Sequence, residues 1–284
     1  MFSVNALERV VRMALEEDCP WGDLTSEALL PPQAQGALVV RFRQPGLLCG
    51  LPVAQEVFRQ AAPQAVFAAL AQEGQALQAG QVAVRVSGPA LELLRAERVA
   101  LNFLQRLSGI ATLTARYVAE ARKGSPNVRV AATRKTTPGL RALEKYAVQV
   151  GGGVGHRFSL SDGVLVKDNH LALLAKSGLS LAQALAQARL RIPHGMKIQV
   201  EVDNLEQLEE ALAAGAELLL LDNMSLEDTR LAVARTQGRA LLEASGNMTL
   251  ERMAQVAATG VSVISVGALT HTAPSLDIAL DFET

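Results

Sequence analysis

The chain has 284 residues, of which 49% are hydrophobic and 19% are charged, a composition typical of a globular protein with one large or two modest domains. The formal net charge of −1 argues against a protein that binds nucleic acids or anionic membranes through a general excess of basic residues. Any basic site must therefore be local. Cys19 and Cys49 are the only cysteines, too few for a disulfide framework or a cysteine-rich zinc site.

The N-terminal segment reads "NALERVVRMALEE", with apolar residues at helical spacing and charges between them. It lacks the features of a signal peptide. No apolar run approaches the roughly 20 residues of a membrane helix. We therefore expect a cytoplasmic protein without a membrane or nucleic-acid partner.

The next hundred residues contain apolar segments interrupted by turn residues. The segments "GALVVRFRQPGLLCGL" and "VAVRVSGPALELL" include QPG and SGP, which predict antiparallel hairpins. A long helix is predicted from about Leu93 to Arg122, and Gly109 within it indicates a break or a close packing contact.

From about residue 128 the pattern changes to strand, short loop and helix. Six apolar strands are predicted, with the sequences "NVRVAAT", "GVLVK", "KIQVEV", "ELLLLD", "RALLEAS" and "VSVISVG". The last four recur at a step of roughly 22 residues, which suits one βα unit each. Continuous apolar strands favour a parallel sheet that is covered on both faces or closed into a barrel. Six strands are few for a complete barrel, so an incomplete barrel and a doubly wound open sheet both stay open.

The segment "SLDIALDF" alternates apolar and polar or small residues, as a half-buried strand does. It resembles the strands of the first hundred residues more than the βα units, so we expect the chain to return to its first domain. The predicted organisation is an N-terminal α+β domain at residues 1–108, joined by residues 270–284, and an α/β barrel at residues 109–269.

A positive zone lies between Arg134 and Lys167, where six Lys or Arg residues accompany two acidic residues. It contains "TRKTTPGLR" and the tract "GGGVGHRFSLSDGVLVKDNH", whose glycines let backbone N–H groups approach an anion. The tract matches neither the P-loop nor the Rossmann fingerprint. A single surface Arg or Lys is most often only solvated. Four cations near the carboxyl ends of strands instead indicate a common anion site, and they are Arg134, Lys135, Arg157 and Lys167.

Glu201 and Asp222 follow two of the later strands. Such carboxylates can bind a divalent cation, accept a hydroxyl hydrogen bond or pair with an arginine. The sequence is compatible with Mg²⁺ that keeps most of its waters and shares phosphate oxygens. The last two βα loops, "EASGN" and "SVGALTH", place small residues before helix starts, where backbone donors bind phosphate, although ordinary turn glycines also explain either loop.

Taken in order, these motifs make the chain resemble the quinolinate phosphoribosyltransferase family, also called nicotinate-nucleotide pyrophosphorylase (carboxylating). The resemblance runs nearly end to end and further includes "EDCPWGDLTSE", "RAERVALNFLQRLSGIAT", "VEVDNLEQ" and "LDNM". It implies an incomplete barrel of about seven strands and an N-terminal sandwich-like α/β domain that the C-terminal strand completes. It also implies transfer of phosphoribose from phosphoribosyl pyrophosphate to quinolinate, giving nicotinate mononucleotide, pyrophosphate and CO₂ in NAD biosynthesis.

The resemblance also implies roles for individual residues. Arg134, Arg157 and the partner's Arg98 would clamp the two carboxylates of quinolinate, in a homodimer or an assembly of dimers. The implied catalytic residues, which hold ribose, pyrophosphate and Mg²⁺, are Lys135, Lys167, Glu201 and Asp222, with Glu201 and Asp222 near the metal either directly or through water and phosphate. The implied substrate-binding residues are Arg98, Thr133, Arg134, Lys135, His156, Arg157, Lys167, Glu201, Asp222, Ser245, Gly246, Asn247, Val266, Gly267 and Ala268.

Two other functions stay open at this point. Lys167 at a strand end also suits the Schiff-base lysine of an aldolase-like lyase. A non-catalytic phosphosugar-binding protein, or a family relative associated with molybdenum, is the second. The segment "LLLLDNMSLED" resembles the type I phosphoribosyltransferase signature only superficially, because it has one acid where two are usual and no Thr-Gly loop follows.

Overall fold

The structure is a computed structural model that describes residues 3–283, and the chain forms two compact units. The first unit comprises the chain up to Ala115, the segment Thr136–Gly152 and the residues from Thr270 onward. The second comprises Arg116–Lys135 and Gly153–Leu269. The segment Thr136–Gly152 thus belongs to the first unit, although it lies within the range 109–269 expected for the barrel.

The described residues form strands and helices that we number in chain order. The strands are β1 (Gln35–Phe42), β2 (Gly46–Leu47), β3 (Val66–Ala69), β4 (Ala76–Leu77), β5 (Val82–Pro89), β6 (Arg129–Ala132), β7 (Val154–Gly155), β8 (Val164–Val166), β9 (Ile198–Val202), β10 (Leu218–Asp222), β11 (Leu241–Ser245), β12 (Val263–Val266) and β13 (Ile278–Phe282). The α-helices are α1 (Val4–Asp18), α2 (Leu24–Leu29), α3 (Leu51–Ala61), α4 (Ala90–Gly124), α5 (Arg141–Val150), α6 (Asp168–Lys176), α7 (Leu181–Arg191), α8 (Leu205–Ala213), α9 (Leu226–Thr236), α10 (Met253–Ala257) and α11 (Ala268–His271), and a short 3₁₀ helix covers Leu250–Arg252.

The first unit contains a four-stranded antiparallel sheet in the order β13-β1-β5-β3. The hairpins predicted at QPG and SGP are wrong. After QPG the chain forms only β2, which pairs with β4, because helix α3 begins at Leu51 and leaves no length to run back along β1. After SGP no strand follows, since β5 extends to Pro89 and helix α4 begins at Ala90.

The predicted return of the chain to its first domain is confirmed by β13, which pairs with β1 from Leu38 opposite Phe282 to Phe42 opposite Ile278. Helix α4 helps to hold this tail, because the side-chain amide of Gln105 donates to the carbonyl of Ile278 at 2.8 Å. A Cβ at Gly109 would overlap the carbonyl oxygen of Pro274. Gly109 therefore marks a close contact, and α4 continues through it without a break.

The second unit contains seven parallel strands in the order β7-β6-β12-β11-β10-β9-β8. Consecutive strands are neighbours throughout, except between β7 and β8, and the first strand β6 pairs with the last strand β12. This is the order of a barrel with one gap. A doubly wound sheet reverses its order at a switch point, so that alternative is excluded and the incomplete barrel is confirmed.

The strand that the residue pattern alone does not reveal is β7, which has only two residues within the glycine tract. Its backbone pairs with Ala131 and Ala132 of β6. No helix in the described part of the chain is both long and apolar enough to cross a membrane.

Candidate active site

The register of the barrel strands brings polar side chains to one face. Residues directly opposite each other on neighbouring strands point to the same face of a sheet. Glu201 of β9 and Glu243 of β11 both lie opposite Leu220 of β10, and Ser245 lies opposite Asp222. Alternate residues of three adjacent strands therefore carry oxygen groups towards the barrel interior, at and near the carboxyl ends of the strands.

These side chains line a cavity of about 370 Å³ in the second unit. The structure brings together the following predicted residues in its lining: Thr133, Arg134, Lys135, His156, Arg157, Lys167, Glu201, Asp222 and Ser245. The lining residues that the sequence did not point to are Leu165, Leu220, Glu243 and Ser265.

The cationic side of the cavity is formed by residues that follow β6, β7 and β8. Arg157 donates to the carbonyl of Gly163 at 3.1 Å, which fixes its guanidinium beside the cavity. Burial and the neighbouring Arg134 guanidinium lower the pKa of Arg157 from its ordinary value, although Glu243 and Glu201 oppose this. Arg157 nevertheless stays protonated, as arginines in proteins do. Like charges held this close create a site for an anionic ligand.

Lys167 and Glu201 form an ion pair with 2.7 Å between Nζ and Oε2. The pair joins the end of β8 to β9, and the lysine side chain is 45% exposed. A Schiff-base lysine requires a desolvated setting or a neighbouring cation to become neutral. Lys167 instead lies half-exposed and in direct contact with a carboxylate, a setting that does not meet this requirement and argues against the lyase alternative.

Asp222 lies at the end of β10, where its Oδ2 accepts a hydrogen bond of 3.0 Å from the side-chain amide of Asn223. Among the described residues no group of three or more His, Cys, Asp or Glu side chains is arranged to hold a metal ion. Two carboxylates without a third ligand fit only a metal that keeps several waters and takes oxygens from a ligand. Glu201 and Asp222 are compatible with Mg²⁺ in that form.

Glu243 is the acidic residue that sequence reasoning missed. Its side chain is buried in the middle of β11, and its Oε2 lies 3.2 Å from Nε2 of His156 and 2.9 Å from Nε2 of Gln199. Burial raises the pKa of the Glu243 carboxyl, but the bond and charge of His156 and the contacts of Ser265 and Gln199 outweigh it, so the pKa lies below its ordinary value. The available signal was a charged residue two positions before Ser245 in an otherwise apolar strand.

The loops after β10 and β11 are interlocked at the rim of the cavity. Asn223, Gly246 and Asn247 all have positive φ, and the Asn247 amide donates to Oδ1 of Asn223 at 3.3 Å. A Cβ at Gly246 would overlap the same oxygen. The positive φ values of Gly246 and Asn247 form a tight turn at the end of β11, and tight turns can direct successive backbone N–H groups towards an anion. The contribution expected from a helix N-terminus to phosphate binding is smaller here, because only the short 3₁₀ helix and the five-residue α10 follow this loop.

Several predicted residues lie outside the cavity lining. Arg98 is exposed on α4 in the first unit. Val266 is 1% exposed and follows Ser265 in β12, so its side chain points to the opposite face and only its backbone could contact a ligand. The remaining residues of this group adjoin lining residues or strand ends, and they are Gly246, Asn247, Gly267 and Ala268.

A cation-rich cavity with carboxylates, at the carboxyl ends of parallel barrel strands, defines an α/β-barrel enzyme for anionic substrates. The family models agree with this class. The model for the quinolinate phosphoribosyl transferase C-terminal domain matches residues 110–281, and the model for the N-terminal domain of the same family matches residues 23–108. The chain belongs to the quinolinate phosphoribosyl transferase family.

Individual relatives are similar over almost the whole chain. Nicotinate-nucleotide pyrophosphorylase (carboxylating) from Mycobacterium leprae is 43% identical over 98% of this chain and 97% of its own length. The crystal structure of NadC from Streptococcus pyogenes superposes with a TM-score of 0.92 at 38% identity, covering 100% of this chain and 99% of that chain. The nicotinate-nucleotide pyrophosphorylase of Francisella tularensis superposes with a TM-score of 0.93 at 35% identity, covering 100% and 98%.

Proposed function

We propose that the cavity at the end of the barrel is the active site at which this enzyme transfers phosphoribose from phosphoribosyl pyrophosphate to quinolinate. The products are nicotinate mononucleotide, pyrophosphate and CO₂, and the reaction serves NAD biosynthesis. The observation that carries the assignment of the site is the convergence of four cations, Arg134, Lys135, Arg157 and Lys167, on one cavity. The names of the relatives from Mycobacterium leprae and Francisella tularensis support the reaction.

Arg134 and Arg157 form the part of the site that takes the two carboxylates of quinolinate, with Lys135 and His156 beside them. Planar guanidinium groups suit carboxylates because they donate two parallel hydrogen bonds. The lowered pKa of Arg157 beside Arg134 supports this role, since an anion placed between two crowded cations relieves their repulsion.

Lys135, Lys167, Glu201 and Asp222 form the part of the site for ribose and pyrophosphate. Glu201 and Asp222 would hold Mg²⁺ at this part of the site, and the metal would supply positive charge to neutralise pyrophosphate. Because Glu201 already pairs with Lys167 at 2.7 Å, the lysine stays next to the leaving group as a fixed positive charge. A fixed charge of this kind stabilises the transition state without reorganising.

The reaction needs no nucleophilic side chain. The lone pair of the pyridine nitrogen forms the new bond to the anomeric carbon while the bond from that carbon to pyrophosphate breaks, and pyrophosphate leaves with the electron pair. The bond between the ring and the adjacent carboxylate then breaks, CO₂ departs, and the electron pair left on the ring carbon takes up a proton. The residues of the cavity contribute by holding both substrates in line and by placing charge where it develops.

The loops after β11 and β12 are proposed to cradle the 5′-phosphate through Ser245, Gly246 and Asn247 and through Val266, Gly267 and Ala268. Gly246→Ala tests the first loop, since a methyl group there collides with Asn223. Gly238→Ala is a matched control, because Gly238 also has positive φ (+74°) but open space around it. We expect Gly246→Ala alone to raise the KM for phosphoribosyl pyrophosphate while the KM for quinolinate changes little. Equal effects of the two substitutions would remove this loop from the phosphate site.

The enzyme is proposed to work as a homodimer, or as an assembly of dimers, in which the partner's Arg98 completes the carboxylate clamp. Arg98 is exposed and does not line the cavity, which supports a role towards a second subunit. Co-expression of Arg98→Ala with Lys167→Ala tests this. We expect about a quarter of wild-type activity, because about half of randomly assembled dimers pair the two variants and each such dimer holds one intact site. An inactive mixture would place Arg98 in the site of its own subunit, and about half of wild-type activity would show that neither site needs it.

A cytoplasmic location is also proposed. Both cysteines are unpaired, which suits a reducing compartment.

Turnover of the purified protein tests the proposed reaction. Phosphoribosyl pyrophosphate is supplied with quinolinate or with nicotinate, with Mg²⁺ or with a chelator, and mononucleotide and CO₂ are measured. We expect CO₂ and mononucleotide from quinolinate only, and only with Mg²⁺. Turnover of nicotinate instead would refute the dicarboxylate clamp. Full activity in the presence of chelator would refute the requirement for Mg²⁺.

A further inference from the structure

Glu243 lies in the lining of the cavity and is only 4% exposed. It has no role in the carboxylate clamp or in the phosphate sites proposed above. Its Oε2 receives the contacts from His156 and Gln199. Its Oε1 is buried and makes no hydrogen bond of good geometry among the described residues, although the Ser265 hydroxyl also acts on the carboxyl. A buried carboxylate is costly unless its neighbours compensate the charge, so much of that compensation here must come through Oε2.

The contact with His156 fixes which ring nitrogen carries a proton. A carboxylate accepts hydrogen bonds and cannot donate them. At 3.2 Å from Oε2, Nε2 of His156 must therefore be the protonated nitrogen, and Nδ1 is the nitrogen left for a ligand. In the neutral ring Nδ1 has no hydrogen and would repel a carboxylate, whereas in the imidazolium ion it donates to one.

The groups that line the cavity with His156 carry charges of both signs. The cations are Arg134, Lys135, Arg157 and Lys167, and the carboxylates on the neighbouring strands are Glu201 and Asp222. Glu243 is the carboxylate that contacts the ring itself. Removing its negative charge would make the cavity more positive, which by charge alone should strengthen the binding of an anion.

We propose that Glu243, held by Gln199, is a positioning residue that keeps His156 protonated on Nε2 and presents its Nδ1–H to a carboxylate of the bound substrate. The proposal rests on the carboxylate clamp described above. It assigns the buried carboxylate a role through another residue and without contact to substrate.

The first test is ¹⁵N NMR of the histidine side chains in the wild-type protein, in which only four histidines are present. The signals of His156 are identified by their loss in His156→Asn. We expect a proton on Nε2 in the free protein, and protons on both nitrogens when quinolinate is added without phosphoribosyl pyrophosphate. A neutral ring protonated on Nδ1 in the free protein, or a ring that stays neutral with quinolinate bound, overturns the proposal.

This measurement separates failure of the proposal from failure of the proposed function. If the proposed reaction were wrong, quinolinate would leave every histidine signal unchanged, while the free protein would still report the tautomer that Glu243 imposes. A free-protein tautomer with Nε2 unprotonated would refute the role of Glu243 even in a fully active enzyme.

The second test is a double-mutant cycle of Glu243→Gln and His156→Ala, read as the KM for quinolinate and the kcat. Glu243→Gln should raise the KM for quinolinate about tenfold, the scale of one charge-assisted hydrogen bond, and leave the KM for phosphoribosyl pyrophosphate unchanged. In the His156→Ala background the same change should have almost no further effect, because the residue acts only through the ring. Additive effects, or a lower KM in Glu243→Gln, overturn the proposal.

Glu217→Gln is the matched control for this cycle. Glu217 precedes β10, so it lies at the amino end of the neighbouring strand, and its side chain is exposed. The substitution Glu217→Gln changes the net charge by the same amount as Glu243→Gln, and Glu217 does not line the cavity. We expect wild-type kinetics from it, and a tenfold change in KM there would show that net charge alone explains the effect of Glu243→Gln.

Discussion

Two buried glutamates, Glu144 in the first unit and Glu243 in the second, show how the same side chain serves a scaffold or a site. Glu144 is fully buried and accepts four hydrogen bonds, two from the Arg106 guanidinium and two from Thr137. Arg106 in turn donates to the carbonyls of Thr270 and Ala273. Every strong donor in this network has an internal partner, so it stabilises the fold and leaves nothing for a ligand.

Glu243 has the opposite environment. Its Oε1 makes no hydrogen bond of good geometry within the described chain, and Glu243 lines a cavity together with four cations. Such an arrangement is less stable than a saturated network, because like charges are held together and a polar atom is left unmatched. Of these two glutamates, the one that is fully paired inside the protein belongs to the scaffold, and the one that borders a cation-lined cavity belongs to the site.

The largest expected effect tests the scaffold side of this comparison. Glu144→Ala leaves the Arg106 guanidinium without its carboxylate, and breaking a buried pair in this way costs about 3–5 kcal/mol of unfolding free energy. Urea denaturation measures the loss. Glu209→Ala is the control, since Glu209 forms only an exposed contact of 3.9 Å with Arg235, worth about 0–1 kcal/mol. A similar small loss for both variants would end the distinction between the two glutamates.

The next effect tests the site side. Arg134→Ala should lower kcat/KM for quinolinate about 10- to 150-fold, which corresponds to the roughly 1.5–3 kcal/mol of one charge-assisted contact. Arg129→Ala is the control at the other end of the same strand, where the side chain is exposed. Unchanged kinetics with quinolinate would remove Arg134 from the clamp.

The smallest effect concerns pH. The folded-state pKa of Glu243 lies below its ordinary value, which is about 4.3 in an unfolded chain. Its charge therefore contributes stability that is fully present above that pH and is lost as pH falls through the folded pKa. We expect the unfolding free energy of the wild type to exceed that of Glu243→Gln by about 1 kcal/mol near neutral pH. Urea titrations at increasingly acidic pH should show this difference shrinking. A difference that grows with acid would contradict the direction of the pKa shift.

The parts of the fold that the sequence predicts are those with strong local patterns. Strands β9 to β12 are each rich in apolar residues, and each ends in, or is followed by, a polar residue or glycine, so the strands and part of the cluster at their ends could be predicted. The turn motifs QPG and SGP did not predict that β1 pairs with β5 and β13. A turn motif does not show whether a strand follows it or which strand that would pair with. Strand β7 has too few residues to produce any alternation.

The site was predictable where its residues follow strands and hidden where they lie within them. Lys167 and Asp222 interrupt an apolar run at its end, which is visible in the sequence. Glu243 and Gln199 lie inside strands, and their meeting at 2.9 Å depends on the register of β9, β10 and β11. That register is a property of the assembled sheet, so only the structure reveals the pair.

The pairing of β1 with β13 has a consequence for synthesis of the protein on the ribosome. All seven barrel strands are translated between β5 and β13, so the sheet of the first unit must wait for its fourth strand until the whole barrel has emerged. During that interval the backbone of β1, with fully buried Leu38 and Phe42 in the finished fold, presents an unpaired edge that other strands could join. A nascent chain stalled within the barrel is therefore the form of this protein most exposed to aggregation and most in need of a chaperone.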